Sequence, residues 1–276
     1  MDSRLRSLAE QLDANVIARR EFLRKAAIIT GAGQGIGLAY AERFLDEGAR
    51  VAVAEINEER AEKAMKHLAG KGDAVYIPTD ISDEQSAKDC AARAKDEFGQ
   101  LDILVNNAAL YYDIENERND YEYLQRVFSV NLHGAWLMSR AAAPYMVEQG
   151  RGRIINQSSG AAYMYTMTPP SDFHEVGAYT YSQTKWGIVG LTKFLAGQLG
   201  QYNVTVNCIA PGVTMTEATK KIVPEEYISM IPMMSAMKRT LEPEHLTGTA
   251  VFFASDDAEL VTGQVLCVDG GSCMPA

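Results

Sequence analysis

Two side chains set four residues apart carry the strongest chemical signal in this chain: Tyr181 and Lys185, inside a stretch, Tyr179–Gly200, that reads as a helix. Residues i and i+4 share a helix face, so the phenol and the ammonium stack. A nearby cation favours the phenolate and lowers a tyrosine pKa from its ordinary value of about 10. A phenol tuned in that way exchanges a proton with an alcohol or ketone near neutral pH. Upstream, Thr30-Gly31-Ala32-Gly33-Gln34-Gly35-Ile36-Gly37 joins a short β run to an amphipathic segment. Without side chains, Gly31, Gly35 and Gly37 let backbone amides approach a dinucleotide pyrophosphate at a helix N-terminus, with Gln34 and Ile36 in the same turn. The spacing departs from G-x-G-x-x-G, so its weight comes from the strand before it and the helix after it. Proton exchange beside a dinucleotide cradle points to hydride transfer.

Both features need a scaffold. Short β-branched runs alternate with longer amphipathic stretches, the pattern of βαβ units and a parallel sheet. Strands are expected at Ala26–Thr30, Arg50–Glu55, Ala74–Thr79, Leu101–Asn106, Gly152–Ser158, Val204–Ile209 and Gln264–Val268. Between them, helices are expected near Ile36–Glu47, Glu58–Ala69, Asp83–Phe98, Tyr121–Glu148, Tyr179–Gly200 and Pro243–Ala254. Ile28-Ile29 and Ile103-Leu104-Val105 read as the continuous apolar runs of buried central strands. The expected organisation is an N-terminal arm over residues 1–24 and one catalytic domain over 25–276. Irregular segments near 161–177 and 213–241 are expected to lie on the substrate side, because long connections in a compact domain are commonly functional.

The 276 residues, 47% hydrophobic and 22% charged, are ordinary for a globular protein with a substantial core. A net charge of -10 without a lysine- or arginine-rich block argues against nucleic acid or an anionic membrane as partner. Cys90, Cys208, Cys267 and Cys273 lie far apart with no CxxC, which disfavours a disulfide framework or a zinc site and fits a cytoplasmic, reduced protein. His67, His133 and His245 form no metal spacing. No apolar run approaches the roughly 18–20 residues of a membrane span. Arg19-Arg20 resembles a twin-arginine export signal, but cleavage near Ala26 would remove the first strand, so the arm reading is preferred.

Glu55 ends the second strand, where a carboxylate can accept hydrogen bonds from the adenosine ribose. The same charge repels a 2′-phosphate, and no arginine near it stands out as compensation, so NAD is expected over NADP.

In order along the chain come Thr30–Gly37, Asp80-Ile81, Asn106-Asn107-Ala108-Ala109, Asn131, Ser159, Tyr181 with Lys185, and Pro211-Gly212. From about residue 24 onward the chain resembles the single-domain branch of the short-chain dehydrogenase/reductase family. That resemblance implies a Rossmann-type, doubly wound α/β sheet of about seven strands with helices on both faces. It assigns Asp80 and Ile81 to the adenine and Asn107 to the ribose region. The Pro211–Thr216 turn is assigned to the nicotinamide carboxamide, through the Val213 and Thr214 amides and the Thr216 hydroxyl. Tyr181 becomes the proton donor or acceptor, Lys185 the group that lowers its pKa and bonds the nicotinamide ribose, and Ser159 a donor to the substrate oxygen. Asn131 resembles the asparagine that holds a proton-relaying water. Ser158 competes with Ser159, and alignment with the family favours Ser159. Ala109 stands where the family usually has glycine. Relatives are mostly tetramers built through the two long helices and the last strand, so a homotetramer or homodimer is expected.

For the substrate, the interval from Ser159 to Tyr181 is longer than usual in the family and carries Tyr163, Tyr165, Met167, Pro169-Pro170, Phe173 and His174. Met215, Met230, Met233, Met234 and Met237 follow on a second loop, and Tyr111-Tyr112 on a third. Thioethers and aromatics make an adaptable apolar wall, so a secondary alcohol or ketone on an apolar, cyclic or aromatic framework is expected. A polar cyclic polyol or diol is the alternative. A non-catalytic dinucleotide-binding sensor is another, although Asn131, Ser159, Tyr181 and Lys185 are all present. A carrier-protein-linked substrate is disfavoured, since such relatives use NADPH and want a basic entrance.

Overall fold

The computed structural model describes residues 22, 24–110, 121–163, 179–223 and 225–275. Seven strands form the sheet: β1 (Ala26–Thr30), β2 (Arg50–Glu55), β3 (Ala74–Pro78), β4 (Ile103–Asn106), β5 (Gly152–Gln157), β6 (Val204–Pro211) and β7 (Val265–Val268). All pairs are parallel, in the order β3-β2-β1-β4-β5-β6-β7. The helices are α1 (Gly35–Asp46), α2 (Glu58–Leu68), α3 (Glu84–Phe98), α4 (Tyr121–Phe128), α5 (Ala135–Gln149), α6 (Thr180–Leu199), α7 (Glu217–Ile222), α8 (Glu225–Met230) and α9 (Glu244–Ala254).

The β-strand period of two divides the core into layers. Ala27, Ile29, Val51, Val53, Ile103 and Val105 pack with Tyr40 and Phe44 of α1, Leu68 of α2 and Phe253 of α9. Their neighbours Ala26, Ile28, Ala52, Ala54 and Leu104 face the other way, onto Cys90 of α3, Met138 and Met146 of α5, and Leu199 of α6. This is the doubly wound α/β arrangement expected from the sequence. From β1 the chain builds outward through β2 to β3, then α3 crosses to the opposite face and returns β4 beside β1. The connections leaving β1 and β4 therefore diverge, and a crevice opens at their carboxyl ends.

Two boundaries differ from the sequence expectation in informative ways. β6 runs to Pro211 because that residue stays in register with Val268 of β7. The expected helix Tyr121–Glu148 is interrupted by a π-helical segment, Ser129–Gly134, between α4 and α5. An extra residue per turn there leaves backbone groups outside the usual ladder, a feature frequent at functional sites. Of the N-terminal arm, Phe22 is buried and meets Phe44 of α1 edge to face, ring centroids 5.6 Å apart. Among the described residues no helix is long and apolar enough to cross a membrane.

Candidate active site

A cavity of 780 Å³ opens where β1 and β4 part, within the range of small-molecule and cofactor sites. Its floor is the turn between β1 and α1. Gly31 sits at φ +64, a left-handed conformation that costs glycine little. At Gly37 the demand is close approach: a Cβ would lie 2.6 Å from Asn107 Nδ2 and collide with the Gly31 carbonyl oxygen. The helix that follows begins unlike its neighbours. Asn57 caps α2 through its side chain with Glu58 and Glu59 in the first turn, and Asp83 caps α3 in the same way. Gln34 makes no capping bond from its side chain at α1, and the first turn holds no acid. The amides at the start of α1 thus face the cavity with their dipole unopposed, which suits an anion such as a pyrophosphate.

Side chains knit β1 to β4 beneath that turn. Thr30 Oγ1 accepts from the Asn107 and Ala108 amides at 3.0 and 3.1 Å. Asn107 Nδ2 donates to the carbonyls of Thr30 and Gly31 at 2.9 and 3.3 Å. Asn107, expected near the cofactor ribose, borders the cavity with its carboxamide engaged in holding the turn.

Glu55 is 5% exposed and closes one end of the cavity. Its Oε2 accepts from the Gly33 amide at 3.2 Å and its Oε1 from the Asn57 amide at 3.0 Å, so the carboxylate is fixed against the turn. Arg60, in the first turn of α2, borders the same cavity, a neighbour of Glu55 that the sequence alone does not single out. Asp80 and Ile81 line the cavity beyond Glu55. Asp80 Oδ1 accepts from the Ser82 amide at 2.9 Å and hydroxyl at 2.7 Å, and Ile81 is buried where Gly134 leaves room for it.

At the other end α6 brings Tyr181 and Lys185 to the wall, with Lys185 Nζ 5.5 Å from the Tyr181 ring centroid. Lys185 is 3% exposed and donates to the Gln157 carbonyl at 2.9 Å. Burial lowers its pKa to about 8. The adjacent Cys208 thiol, itself pushed up to about 12 by burial, stays neutral and provides no counter-charge at neutral pH. The two serines both border the cavity and differ in their bonds. Ser158 is buried and its Oγ donates to the Lys185 carbonyl at 2.7 Å, so it fastens α6 to β5. Ser159 borders the cavity, and its Oγ accepts from the Ala161 amide at 3.1 Å, which leaves its O–H to donate. Tyr179, the rival tyrosine, is exposed at the N-cap of α6.

Asn131 lies in the π-helical segment, fully buried. Its carboxamide embraces Leu110, accepting from the amide at 2.7 Å and donating to the carbonyl at 3.1 Å. Asn131 Nδ2 also reaches Thr184 Oγ1 at 3.4 Å, and that hydroxyl donates to the Tyr181 carbonyl at 2.7 Å. Asn131 therefore ties the exit of β4 to the first turn of α6.

Pro211, Val213, Thr214 and Thr216 all border the cavity. Thr214 Oγ1 donates to the Gly212 carbonyl at 3.0 Å, and Thr216 Oγ1 caps α7 by accepting from the Thr219 amide at 3.1 Å. The methionine wall is a correction. Met215 is buried, while Met230, Met233, Met234 and Met237 are exposed, and none of them borders the cavity. Met230 ends α8, Met233 and Met234 lie in a 3-10 helix, Ile231–Met234, and Met237 follows it. Tyr163 packs edge to face on Trp186, centroids 5.4 Å apart. Tyr111-Tyr112, Tyr165, Met167, Pro169-Pro170, Phe173 and His174 lie outside the described residues. Sequence reasoning missed Gln157 and Arg126 on the cavity wall; for Gln157 the usable signal was a polar residue ending a buried strand beside Ser158-Ser159.

The chain matches known proteins over nearly its whole length. The family model described as enoyl-(acyl carrier protein) reductase covers residues 31–273. An uncharacterized oxidoreductase of Mycobacterium tuberculosis is 41% identical over 254 residues, 91% of this chain and 98% of that one. The D-threitol dehydrogenase of Mycolicibacterium smegmatis is 34% identical over 248 residues, 90% and 92% of the two chains. A solved short-chain type dehydrogenase/reductase from Mycobacterium marinum superposes with a TM-score of 0.83 at 28% identity, covering 95% of this chain and 100% of that one.

Proposed function

This chain belongs to the short-chain dehydrogenase/reductase family of oxidoreductases, and from that premise we propose that it exchanges a hydride between NAD and a secondary alcohol or ketone. One observation carries the reading: Tyr181, Lys185 and Ser159 share a cavity wall with an uncapped helix N-terminus and a glycine turn. When bound, the dinucleotide supplies the hydride acceptor or donor. The amides at Gly31, Gly35 and Ile36 would hold its pyrophosphate, Glu55, Asp80 and Ile81 would border its adenosine, and the Pro211–Thr216 turn would hold its nicotinamide. Ser159 donates to the substrate oxygen and stabilises charge as it develops there. Tyr181 takes the hydroxyl proton in oxidation and returns it in reduction. Lys185, a buried cation near neutral pH, favours the phenolate. The test is NADH absorbance over a panel of secondary alcohols, diols and polyols, with NADP as the control cofactor. Tight NADH binding with no turnover on any of them would favour the sensor reading instead.

Glu55 underlies the preference for NAD, since a 2′-phosphate would bring its charge toward a fixed carboxylate. Arg60, on the same rim, is the candidate phosphate partner once that carboxylate is gone. Glu55→Ala should therefore raise the NADP-to-NAD ratio of kcat/KM roughly ten-fold or more. An unchanged ratio would remove Glu55 from the argument.

Lys185 adds a pH dependence. It would offer a positive charge to a bound, anionic dinucleotide only while protonated, and burial sets its pKa at about 8. A bound anion shifts that value upward, so NADH affinity should be level below pH 8 and weaken at or above it. Fluorescence titrations from pH 6.5 to about 9.5 read this directly, and affinity that strengthens across the range would contradict it.

On the substrate framework, Ala109, Leu110 and Val130 give the cavity an apolar side that suits a cyclic or aromatic alcohol. The outward methionines withdraw part of that support. The relative named for D-threitol supports the second reading, a small polyol. A carrier-linked acyl substrate, named in the matching family description, fits poorly with a net charge of -10 and with NAD. Faster oxidation of polyols than of cyclic monoalcohols in the panel would decide for the second reading.

A further inference from the structure

Behind the cavity lies a polar chain that the hydride-transfer reading leaves unused. Tyr40 of α1 is completely buried in an apolar layer, where a hydroxyl without a partner is costly. It donates to Gln157 Oε1 at 2.8 Å. Gln157 Nε2 donates to Asn107 Oδ1 at 3.3 Å, and Asn107 Nδ2 donates onward to the Thr30 and Gly31 carbonyls. Every bond runs in one direction. Asn107 Nδ2 is held by two carbonyls, so its Oδ1 faces Gln157, which must present Nε2 there and Oε1 to Tyr40, whose hydroxyl is that oxygen's donor. Burial holds the Tyr40 phenol far above its usual pKa, so it remains a donor.

Two members of this chain meet the two halves of the site. Gly31 is, with Gly35, a left-handed residue of the phosphate turn, and Gln157 is the residue whose carbonyl receives Lys185 Nζ. Packing alone does not require a polar pair here, since apolar residues of similar shape satisfy a buried layer about as well. We propose that Tyr40 and Gln157 are positioning residues for the dinucleotide: the Tyr40 hydroxyl anchors the Gln157 carboxamide by satisfying its Oε1, and Gln157 holds Asn107 against the phosphate turn at a set distance from Lys185. This rests on the reading that the cavity takes a nicotinamide dinucleotide.

The experiment compares the full chain with Tyr40→Phe, Gln157→Leu and the double variant, by NADH fluorescence titration and thermal unfolding. In Tyr40→Phe the buried Gln157 Oε1 loses its donor, so the carboxamide is drawn toward the cavity and releases Asn107 Oδ1. NADH affinity should fall roughly five- to twenty-fold, and the KM for dinucleotide should rise with it while the KM for alcohol stays. The double variant loses both polar partners together, so its melting temperature should return close to that of the unaltered chain while its NADH affinity stays low. Affinity in Tyr40→Phe within two-fold of the unaltered chain, or a double variant that regains affinity along with melting temperature, overturns the proposal. An unaltered chain that binds no NADH would sink the hydride-transfer reading itself, and this inference with it; NADH binding that is merely insensitive to the variants sinks only the inference.

Discussion

Tyr181→Phe should lower kcat by roughly 10²–10⁴ while leaving the Kd for NADH within a few-fold of the unaltered chain. The substitution removes one oxygen and keeps the ring beside which Lys185 Nζ sits at 5.5 Å. Lys185 keeps its bond to the Gln157 carbonyl, and Thr184 keeps its bond to the Tyr181 carbonyl, so the first turn of α6 has no reason to move. What disappears is the group that accepts the alcohol proton. Loss in kcat without loss of binding is the signature of an interaction made in the transition state. Stopped-flow turnover with parallel fluorescence titration separates the two quantities. Near-normal turnover in this variant would remove Tyr181 from the chemistry.

A second large effect is expected at Gly37. Alanine there would place its Cβ 2.6 Å from Asn107 Nδ2 and against the Gly31 carbonyl oxygen. The carbonyl is turn backbone, and Asn107 Nδ2, just beyond β4, is pinned by its bonds to the Thr30 and Gly31 carbonyls. The turn must open or α1 must shift, at about 1–3 kcal/mol for overpacking. NADH affinity should drop by at least roughly ten-fold, since about 1.4 kcal/mol is one decade. Gly190 supplies the control. It lies in α6, and an added Cβ there would meet nothing within 4 Å. Gly190→Ala should therefore gain up to about 1 kcal/mol of helix stability and leave binding alone. Equal NADH affinity in Gly37→Ala and Gly190→Ala would show that the turn does not hold the cofactor.

The candidate site was legible in the chain wherever its signal was local. The i, i+4 pairing of Tyr181 with Lys185 needs only a helix, and α6 provides it. The phosphate turn needs only a strand, glycines and a helix start, and β1 and α1 meet around Gly31 as their patterns require. Glu55 at the end of β2 follows from strand length. Other assignments turned on contacts between distant segments. Which of Ser158 and Ser159 has its hydroxyl engaged by α6 depends on how β5 meets that helix, and it is Ser158 that donates to the Lys185 carbonyl. Asn131 needed the π-helical segment, which shifts its carboxamide toward Leu110 in a way that a regular helical period does not forecast. The methionines beyond Val213 read as a pocket wall because composition does not say which side of an irregular segment is covered.

The order of apolar and polar residues determined the parallel α/β sheet by itself, because strand and helix periods are written in neighbouring residues and each element must bury its apolar face. The same local rules named the phenol, the ammonium and the glycine turn. Only the tertiary structure decided that Tyr40, Gln157 and Asn107 join in one directed chain, and that Arg60 comes to stand on the rim with Glu55. Those meetings follow from strand order and sheet register, which bring together groups separated by up to 117 positions, and no local pattern encodes a distance of that kind.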